Sequence, residues 1–243
     1  MKLQDAVTRL TYTLEDQERM SRAKNYFDWQ SRLVLPELGQ CVIEIGCGIG
    51  NFTQKLLTRE SVVAIDIEAG CIERLRERYP NQPNLHALVR EAGANLDDLK
   101  TFRADSIVCL NVLEHIGDDL TTLRNMASII VPGGVIVLIV PAFQALLGPI
   151  DRNLGHHRRY SRRSIARMAA HAGLRIRKMH YINFPGFFGW WFNAHILRRE
   201  AQSASQIDVF DRLIVPVISR LETVAHPPFG QSLFCVLERT NVQ

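Results

Sequence analysis

A short apolar run that leads into a glycine-rich loop constrains this chain more than any other feature. The run from Val42 to Ile45 predicts a buried strand, and Gly46, Gly48 and Gly50 follow it at alternate positions. Glycine adopts positive φ values without steric cost and lets backbone approach a ligand closely. Such a loop after a first strand is where α/β folds hold nucleotide-like ligands. The sequence therefore predicts an α/β fold with a ligand at the end of its first strand.

Two features of this loop distinguish between classes of ligand. A dinucleotide fingerprint requires G-x-G-x-x-G, with the pyrophosphate at a helix N-terminus, whereas this loop has G-x-G-x-G followed by Asn51. Glu44 precedes the loop, and its carboxylate would repel a pyrophosphate and attract a ligand with an ammonium group. A carboxylate at a buried strand end also needs a cationic or hydrogen-bonding partner. A nicotinamide dinucleotide is therefore the weaker alternative.

Acidic residues follow the next two predicted strands. The run from Ser61 to Glu68 predicts a second buried strand that ends in Asp66, where an acid can accept hydrogen bonds from both ribose hydroxyls. A third predicted strand ends at Glu91, which Ala92 follows. A solvated loop acid explains Glu91 equally well.

The E-x-G-x-G-x-G pattern, Asp66, and the sequence LNVLEHI after a fourth apolar strand resemble class I S-adenosylmethionine (SAM) dependent methyltransferases, in the small-molecule bacterial branch of type 11/12 domains. The resemblance implies an α/β fold with a doubly wound, mostly parallel seven-stranded sheet, helices on both faces and an antiparallel last strand. It implies SAM as cofactor and S-adenosylhomocysteine (SAH) as product. The positions that it assigns to the cofactor are Glu44, Gly46, Cys47, Gly48, Gly50, Asn51, Asp66, Ile67, Glu91, Ala92, Asn111 and Val112.

Alternating strand and helix patterns predict one domain over residues 1–243. Three more strands are expected to begin near Gly133, Leu174 and Ser232. Helices are predicted over residues 14–36, 51–59, 69–79, 118–131 and 161–172. The predicted segments are an N-terminal helical cap at 1–36, a cofactor-binding core at 37–182, a hydrophobic lid or dimerisation insertion at 183–230, and the last strand with the C-terminus at 231–243.

The sequence HHRRY after the fifth predicted strand is the main candidate for contact with the methyl acceptor. Arginine forks bind carboxylate or phosphate, and an imidazole can accept a proton. Arg158, Arg159 and Tyr160 are interpreted as an anchor for an acidic acceptor, with His157 or His156 as general base. The pattern D-x-x-L-G-H-x-R-R-Y-S also resembles a bacterial branch of the family. The alternative is a solvated basic loop that caps the next helix.

His115 in LNVLEHI is a further candidate base, and the alternative is that Glu114 and His115 orient their loop through hydrogen bonds. No metal is expected. The adjacent His156 and His157 cannot easily face one ion, and no cysteine or carboxylate ligand set accompanies them in the sequence.

Aromatic residues cluster in two predicted helical regions. Tyr26 and Trp29 are candidates for contact with substrate or, by cation–π attraction, with a sulfonium, although core packing explains them as well. Residues 184–199 combine phenylalanine and tryptophan with arginine, which predicts a lid over an apolar substrate or a homodimer face, with peripheral membrane contact as the alternative. Pro216 is expected to break or kink the helix that follows.

Composition excludes several classes of protein. With 47% hydrophobic and 22% charged residues, the chain suits a folded globular domain, and no apolar run is long enough to span a bilayer. Five cysteines without a C-x-x-C pair, and no signal segment, indicate free thiols in the cytoplasm. The excess basic charge is confined to residues 151–200, which argues against nucleic acid as a partner.

The function predicted from these features is O-methylation of a small, acidic and partly hydrophobic acceptor. N-methylation of a small molecule is the nearest alternative. A SAM- or SAH-binding partner protein without turnover is the alternative of a different class.

Overall fold

The central strands are almost wholly apolar because helices cover both faces of the sheet that they form. The computed structural model describes residues 14–199, 201 and 203–240. This part of the chain contains β1 (Cys41–Ile45), β2 (Ser61–Asp66), β3 (Leu85–Val89), β4 (Ser106–Leu110), β5 (Val135–Pro141), β6 (Leu174–Ile182) and β7 (Ser232–Arg239).

The strands form one sheet in the order β3-β2-β1-β4-β5-β7-β6. β1 to β5 pair in parallel. β7 lies between β5 and β6 and is antiparallel to both. The predicted doubly wound, seven-stranded sheet with an antiparallel last strand is therefore confirmed. Because the strand order reverses between β1 and β4, the carboxyl ends of these strands border the crevice where such sheets bind ligands.

Helices pack on both faces of the sheet. The described helices are α1 (Lys24–Val34), α2 (Thr53–Leu56), α3 (Ala69–Arg78), α4 (Asp119–Ile129), α5 (Pro149–Asn153), α6 (Arg162–His171), α7 (Phe184–His195), α8 (Ala204–Val209) and α9 (Val215–Val224). One core includes buried side chains of α4 and α6, and the other includes those of α1, α2 and α9. Among the described residues, no helix has both the length and the apolar character needed to cross a bilayer.

The N-terminal helix is interrupted, unlike the continuous helix predicted over 14–36. Residues 14–20 are helical, a turn follows, and α1 begins only at Lys24 because Ala23 has a non-helical ψ of 63°. The regular helix ends at Val34, and a 3₁₀ turn over Leu35–Glu37 follows it. Pro36 contributes to this end, since proline has no backbone N–H to donate to the carbonyl four residues earlier. The part of the predicted cap at 1–13 lies outside the described residues.

A carboxylate from the insertion caps α1. Ala23 offers no capping side chain, so the first N–H groups of α1 need another acceptor. Asp211 is buried and accepts hydrogen bonds from the backbone N–H of Asn25 and Tyr26 at 3.2 and 2.8 Å. The insertion between β6 and β7 is thereby joined to the N-terminal helices.

The predicted helical insertion before the last strand is confirmed and consists of α7, α8 and α9. A π-helical turn over Phe210–Ile214 separates α8 from α9, directly before Pro216 near the start of α9. Proline cannot donate a backbone hydrogen bond, which accounts for this irregularity. The predicted break near Pro216 is therefore confirmed.

Two other predicted elements were longer than the structure has them. β3 ends at Val89, so Glu91 lies in a turn in which its carbonyl accepts from the N–H of Ala94. The predicted helix over 51–59 is regular only in α2, because tight hydrogen bonds from Lys55 to Phe52 and from Arg59 to Leu56 replace helical bonds at its ends.

Candidate active site

The glycine loop turns sharply at the carboxyl end of β1. Gly46, Gly48 and Gly50 have φ values of 72°, 53° and 85°. At Gly46 the requirement for glycine is twofold, since φ is positive and a Cβ atom would collide with the side chain of Val112. The loops after β1 and β4 are therefore in direct contact, as a shared ligand site requires.

Glu44 lies beneath this loop and is buried. Its Oε2 accepts a hydrogen bond of 2.6 Å from the Thr53 hydroxyl, which is a hydrogen-bonding partner of the kind expected from the sequence. Burial raises the pKa of Glu44 from 4.5 to about 8, the Thr53 hydrogen bond opposes this, and the nearby Asp66 carboxylate adds to it. A cationic ligand above the loop would favour the ionised form.

Asp66 stands at the end of β2 beside the same loop. Its two carboxylate oxygens accept from the backbone N–H of Gly48 at 2.8 Å and of Glu68 at 3.0 Å. These bonds orient the carboxylate toward the crevice, while burial raises its pKa. The next residue, Ile67, is 60% exposed although it is a large apolar side chain. Val89 at the end of β3 is also exposed, so an apolar surface faces solvent where the adenine of a nucleotide-like ligand is expected.

The chain leaves β4 in an unusual conformation. Asn111 has a φ of 53°, and its N–H donates to the carbonyl of Ile139 at 2.8 Å. Non-glycine residues with positive φ are uncommon and concentrate at functional sites. The exposed Asn111 side chain and the half-buried Val112 therefore border the crevice opposite Asp66.

The remaining predicted cofactor positions lie around the same loop with different degrees of burial. Cys47 and Asn51 are buried, Ala92 is half-buried, and Glu91 is exposed. Asn51 donates to the carbonyl of Gln17 at 2.9 Å, which places the helix over 14–20 against the glycine loop. Their contacts with a cofactor stay predictions.

The HHRRY segment packs inward rather than forming a solvated loop. Tyr160 is buried, and its hydroxyl donates to Asp119 at 2.9 Å. Arg158 forms an ion pair with the same carboxylate at 2.6 Å. Arg159 is also buried and forms an ion pair with Asp151 at 2.8 Å. Because these groups already have partners within the protein, the anchor predicted from Arg159 and Tyr160 is not available in this conformation.

Asp151 organises this segment, a role that its place in the D-x-x-L-G-H pattern did not reveal. Its carboxylate has no exposed surface and accepts from the Arg159 Nε, the Trp190 Nε1 and the backbone N–H of Gly148 at 2.9, 3.0 and 2.9 Å. His156 Nδ1 lies 2.9 Å from Asp151 Oδ1. Burial opposes its ionisation, but the His156 hydrogen bond and the Arg159 charge outweigh burial and lower the pKa of Asp151 to about 2.

The three predicted bases occupy different surroundings. His156 is held by Asp151, and His115 is exposed beside it with ring centroids 4.6 Å apart. The side chain of His157 is exposed, while its N–H donates to the carbonyl of Glu114 at 2.8 Å. The fold thus brings all three histidines to the end of β4, near Asn111.

The two N-terminal aromatic candidates differ in burial. Trp29 is only 1% exposed and belongs to the core, so direct contact with substrate is not available to it. Tyr26 lines a cavity of about 480 Å³ between the N-terminal helices and the insertion. Residues of this cavity include Met20, Ile150 and Trp190. Met20 lies one helical turn from Gln17, which contacts Asn51, and Trp190 donates to Asp151, so intermediate residues link the cavity to the glycine loop and to His156.

Comparison with known proteins identifies the family of this chain. A family profile described as a methyltransferase domain matches residues 16–203. The chain belongs to this methyltransferase domain family. An uncharacterized methyltransferase of Mycobacterium tuberculosis is 31% identical over 120 residues, which are 48% of this chain and 58% of that protein. A ubiquinone biosynthesis O-methyltransferase of Saccharophagus degradans is 30% identical over 121 residues, 45% of each chain. The alignments therefore span about half the length of these curated relatives.

Solved structures share the fold of this methyltransferase domain. A SAM-dependent methyltransferase from Mesorhizobium loti superposes with a TM-score of 0.60 at 14% identity, over 86% of this chain and 96% of that one. The N-methyltransferase NodS of Bradyrhizobium japonicum, in complex with SAH, gives a TM-score of 0.52 at 17% identity, over 82% and 78%. The predicted class I methyltransferase fold is confirmed.

Replacement of Glu44 by glutamine is expected to have opposite effects on stability and on SAM affinity. The folded protein keeps the Glu44 proton that the unfolded chain releases at its ordinary pKa of 4.5, so the wild type loses stability as pH rises from 4.5 toward 8. Glu44→Gln removes this loss and should stabilise the ligand-free protein by about 1–3 kcal/mol near neutral pH. SAM affinity should fall about tenfold or more, because a charge-assisted contact is lost.

Denaturant titrations at several pH values and calorimetry with SAM measure both effects. Glu60→Gln, at an exposed position before β2, is the matched control and should change neither. Unchanged SAM affinity in Glu44→Gln would contradict the assigned role.

Proposed function

We propose that this protein is a SAM-dependent methyltransferase that acts on a small, partly hydrophobic acceptor, with O-methylation favoured. The observation that carries the proposal is the convergence of four features at one crevice: the glycine loop, the buried Glu44, Asp66 and the left-handed Asn111. The glycine loop allows close backbone approach, Glu44 offers negative charge to the amino group of SAM, and Asp66 offers acceptors to its ribose. Asn111 provides a polar group at the end of β4.

The residues present fit SAM. Glu44 is buried with a hydroxyl as its hydrogen-bonding partner, so a cation above it would compensate the cost of its burial. Ile67 and Val89 expose apolar surface, which a stacked adenine ring would cover. When bound, SAM supplies a methyl group on a sulfonium, which is a strong electrophile.

The contribution of the protein to such a transfer is mainly alignment and exclusion of water. Gln17 and Met20 place the helix over 14–20 between the glycine loop and the cavity, where it would cover a bound cofactor. The exposed imidazole of His157, whose N–H donates to the Glu114 carbonyl after β4, is the group proposed to accept a proton from a hydroxyl. A positioned general base contributes about 10²–10⁴ in rate.

The apolar character of the acceptor is inferred from the cavity near Trp190. Its walls include Met20, Tyr26, Ile150 and Ile214, and pockets with mostly apolar walls and few polar groups are typical small-molecule sites. Arg158 is the remaining candidate anchor for an acidic group, and it must exchange its ion pair with Asp119 to serve as one. The activity of the Saccharophagus relative as an O-methyltransferase agrees with a hydroxyl acceptor.

A reducing compartment such as the cytoplasm also fits the proposal. All five cysteines are free, and four of them are buried. Buried thiols without partners are typical of proteins that are kept reduced.

Two measurements decide between the proposal and its alternatives. Calorimetry with SAM, SAH and NAD should show binding of SAM and SAH and none of NAD. Transfer of a labelled methyl group to alkyl-substituted hydroxybenzoates, with the corresponding amines in parallel, separates O- from N-methylation. Binding of SAM without transfer to any acceptor would favour the non-catalytic alternative, and absence of SAM binding would overturn both.

Enlarging the side chain at position 189 should impair the acceptor site alone. Gly189 lines the cavity, and a Cβ atom added there would meet no atom of the described residues within 4 Å. Gly189→Leu is expected to raise the KM for long-chain hydroxybenzoates about tenfold or more with SAM affinity unchanged, since it fills space that the alkyl chain needs. Gly189→Ala is the control and should retain wild-type kinetics. Equal kinetics in both variants would place the acceptor elsewhere.

The outer face of the insertion is the place where a larger partner is expected. Twelve large apolar side chains of the described residues are exposed, and all but Ile67 and Val89 belong to the insertion. They are Phe188, Trp191, Phe192, Ile196, Leu197, Val209, Leu213, Val217, Leu221 and Val224. Exposed patches of this kind mark interaction sites. Arg212 and Arg220 are exposed beside them, which favours an anionic lipid surface over a second copy of the chain.

Co-sedimentation with vesicles tests this contact. Vesicles with anionic lipids should retain the wild type, and vesicles of neutral lipids are the control. The double variant Trp191→Ser, Val217→Ser should have an affinity for anionic vesicles about tenfold lower or less than that, because it loses apolar area that the wild type buries in the membrane. A stable dimer in sedimentation velocity without vesicle binding would instead favour the homodimer face. If the protein neither dimerises nor binds vesicles, the predicted contact is refuted.

A further inference from the structure

Three groups capable of metal coordination meet at the end of β4. Glu114, His115 and His156 each offer one ligand atom, and these atoms all lie within 4.8 Å of one another. Zinc bonds nitrogen and carboxylate oxygen at roughly 2.0–2.2 Å, so coordination would draw these three side chains closer together. Glu114 and His115 come from the 3₁₀ turn after β4, whereas His156 comes from the loop after α5.

Glu114 is the residue that calls for a ligand. Its side chain has no exposed surface, and neither carboxylate oxygen has a hydrogen-bond partner in the described part of the chain. The nearby Arg159 does not bond to it, because that guanidinium contacts Asp151 and the carbonyl of Ala142. Buried polar groups in native proteins are almost always satisfied, and an isolated buried carboxylate is costly. A cation at this point would satisfy it.

His156 is already oriented for coordination. Its Nδ1 lies 2.9 Å from the Asp151 carboxylate, which can only accept a hydrogen bond when ionised. The ring proton is therefore on Nδ1, and Nε2 carries the lone pair that a metal ion requires. A carboxylate behind a histidine ligand is a common feature of metal sites, where it fixes the tautomer and the ring orientation.

His115 completes the group beside His156. The two imidazole rings are nearly perpendicular, at 86°. The backbone holds the two segments together, since the N–H of His157 donates to the Glu114 carbonyl and the N–H of His156 donates to the Asp151 carbonyl. These backbone bonds hold the segments that carry Glu114 and His156 against each other without using either coordinating side chain.

We propose that Glu114, His115 and His156 bind one divalent transition-metal ion of the zinc type. Two imidazoles and one carboxylate form a ligand set found in zinc sites that keep an open coordination position, and imidazole ligands favour such ions over Mg²⁺. The sequence predicted no metal because no carboxylate or cysteine ligand set accompanies His156 and His157. The missing carboxylate is supplied by Glu114 through the tertiary fold.

The open coordination position would hold an acceptor oxygen. Glu114 and His115 follow Asn111 closely in the chain after β4, and Asp151 and Trp190 link His156 to the apolar cavity. An ion there would orient a hydroxyl group toward the cofactor crevice. This role rests on the proposed function, whereas metal binding itself does not.

Metal binding is tested on the full-length protein after treatment with a chelator. Calorimetric titration with Zn²⁺ should show about one ion per chain with a dissociation constant in the micromolar range or below, and Mg²⁺ should bind far more weakly. Glu114→Gln keeps the shape of the side chain and should weaken Zn²⁺ binding about 10–100-fold or more. His156→Gln should weaken Zn²⁺ binding to the same extent. It serves as the second variant if circular dichroism finds that Glu114→Gln does not fold.

The matched control is His226→Asn. His226 stacks on His180 at a centroid distance of 3.7 Å, so this pair is the other two-histidine contact among the described residues. Zn²⁺ binding that survives in Glu114→Gln and is lost in His226→Asn would overturn the proposal, as would absence of binding in the wild type. Methyl transfer measured on the same samples keeps the outcome separate, because a protein that binds Zn²⁺ without transferring methyl groups refutes only the proposed function.

Discussion

The buried carboxylate of Asp151 is the interaction on which the arrangement around the site depends. It binds the guanidinium of Arg159 and the imidazole of His156 in HHRRY, and the indole of Trp190 in α7. Removing one member of such a buried charge pair typically costs about 3–5 kcal/mol, because the other charge is left without a partner. Asp151 therefore holds the HHRRY segment, including His156, against the insertion.

The cofactor side depends on a different constraint, the close contact between two strand ends. Gly46 must lack a side chain because Val112 occupies that space, and this contact brings Glu44 and Asn111 to the same crevice.

The exposed apolar residues lie outside the packed core. Ile67 and Val89 border the cofactor crevice, and the others cover the outer face of the insertion. Among the described residues, the large exposed apolar side chains thus lie where a ligand or partner is expected.

Local sequence patterns predicted most of the fold. The segments LRIRKMHYI and SLFCVLER, predicted as the last two strands, matched β6 and β7 from first to last residue. For β7 the reason is its largely buried, mostly apolar run, which neighbouring strands pack against. Boundaries were less predictable where distant residues intervene. The start of α1 depends on Ala23 and on the cap from Asp211, and no pattern near Lys24 contains that information. The short α2 likewise reflects tight turns at both of its ends.

The sequence by itself determined the class of the fold, the family and the positions of the cofactor loop, because those features are encoded in residues adjacent along the chain. Only the tertiary structure decided what HHRRY does. A pattern of charged residues does not indicate whether they face solvent, and here Arg159 and Tyr160 turn inward to Asp151 and Asp119. The tertiary structure also brought Glu114 beside His156. These residues come from different segments, which lie together only when the sheet has formed.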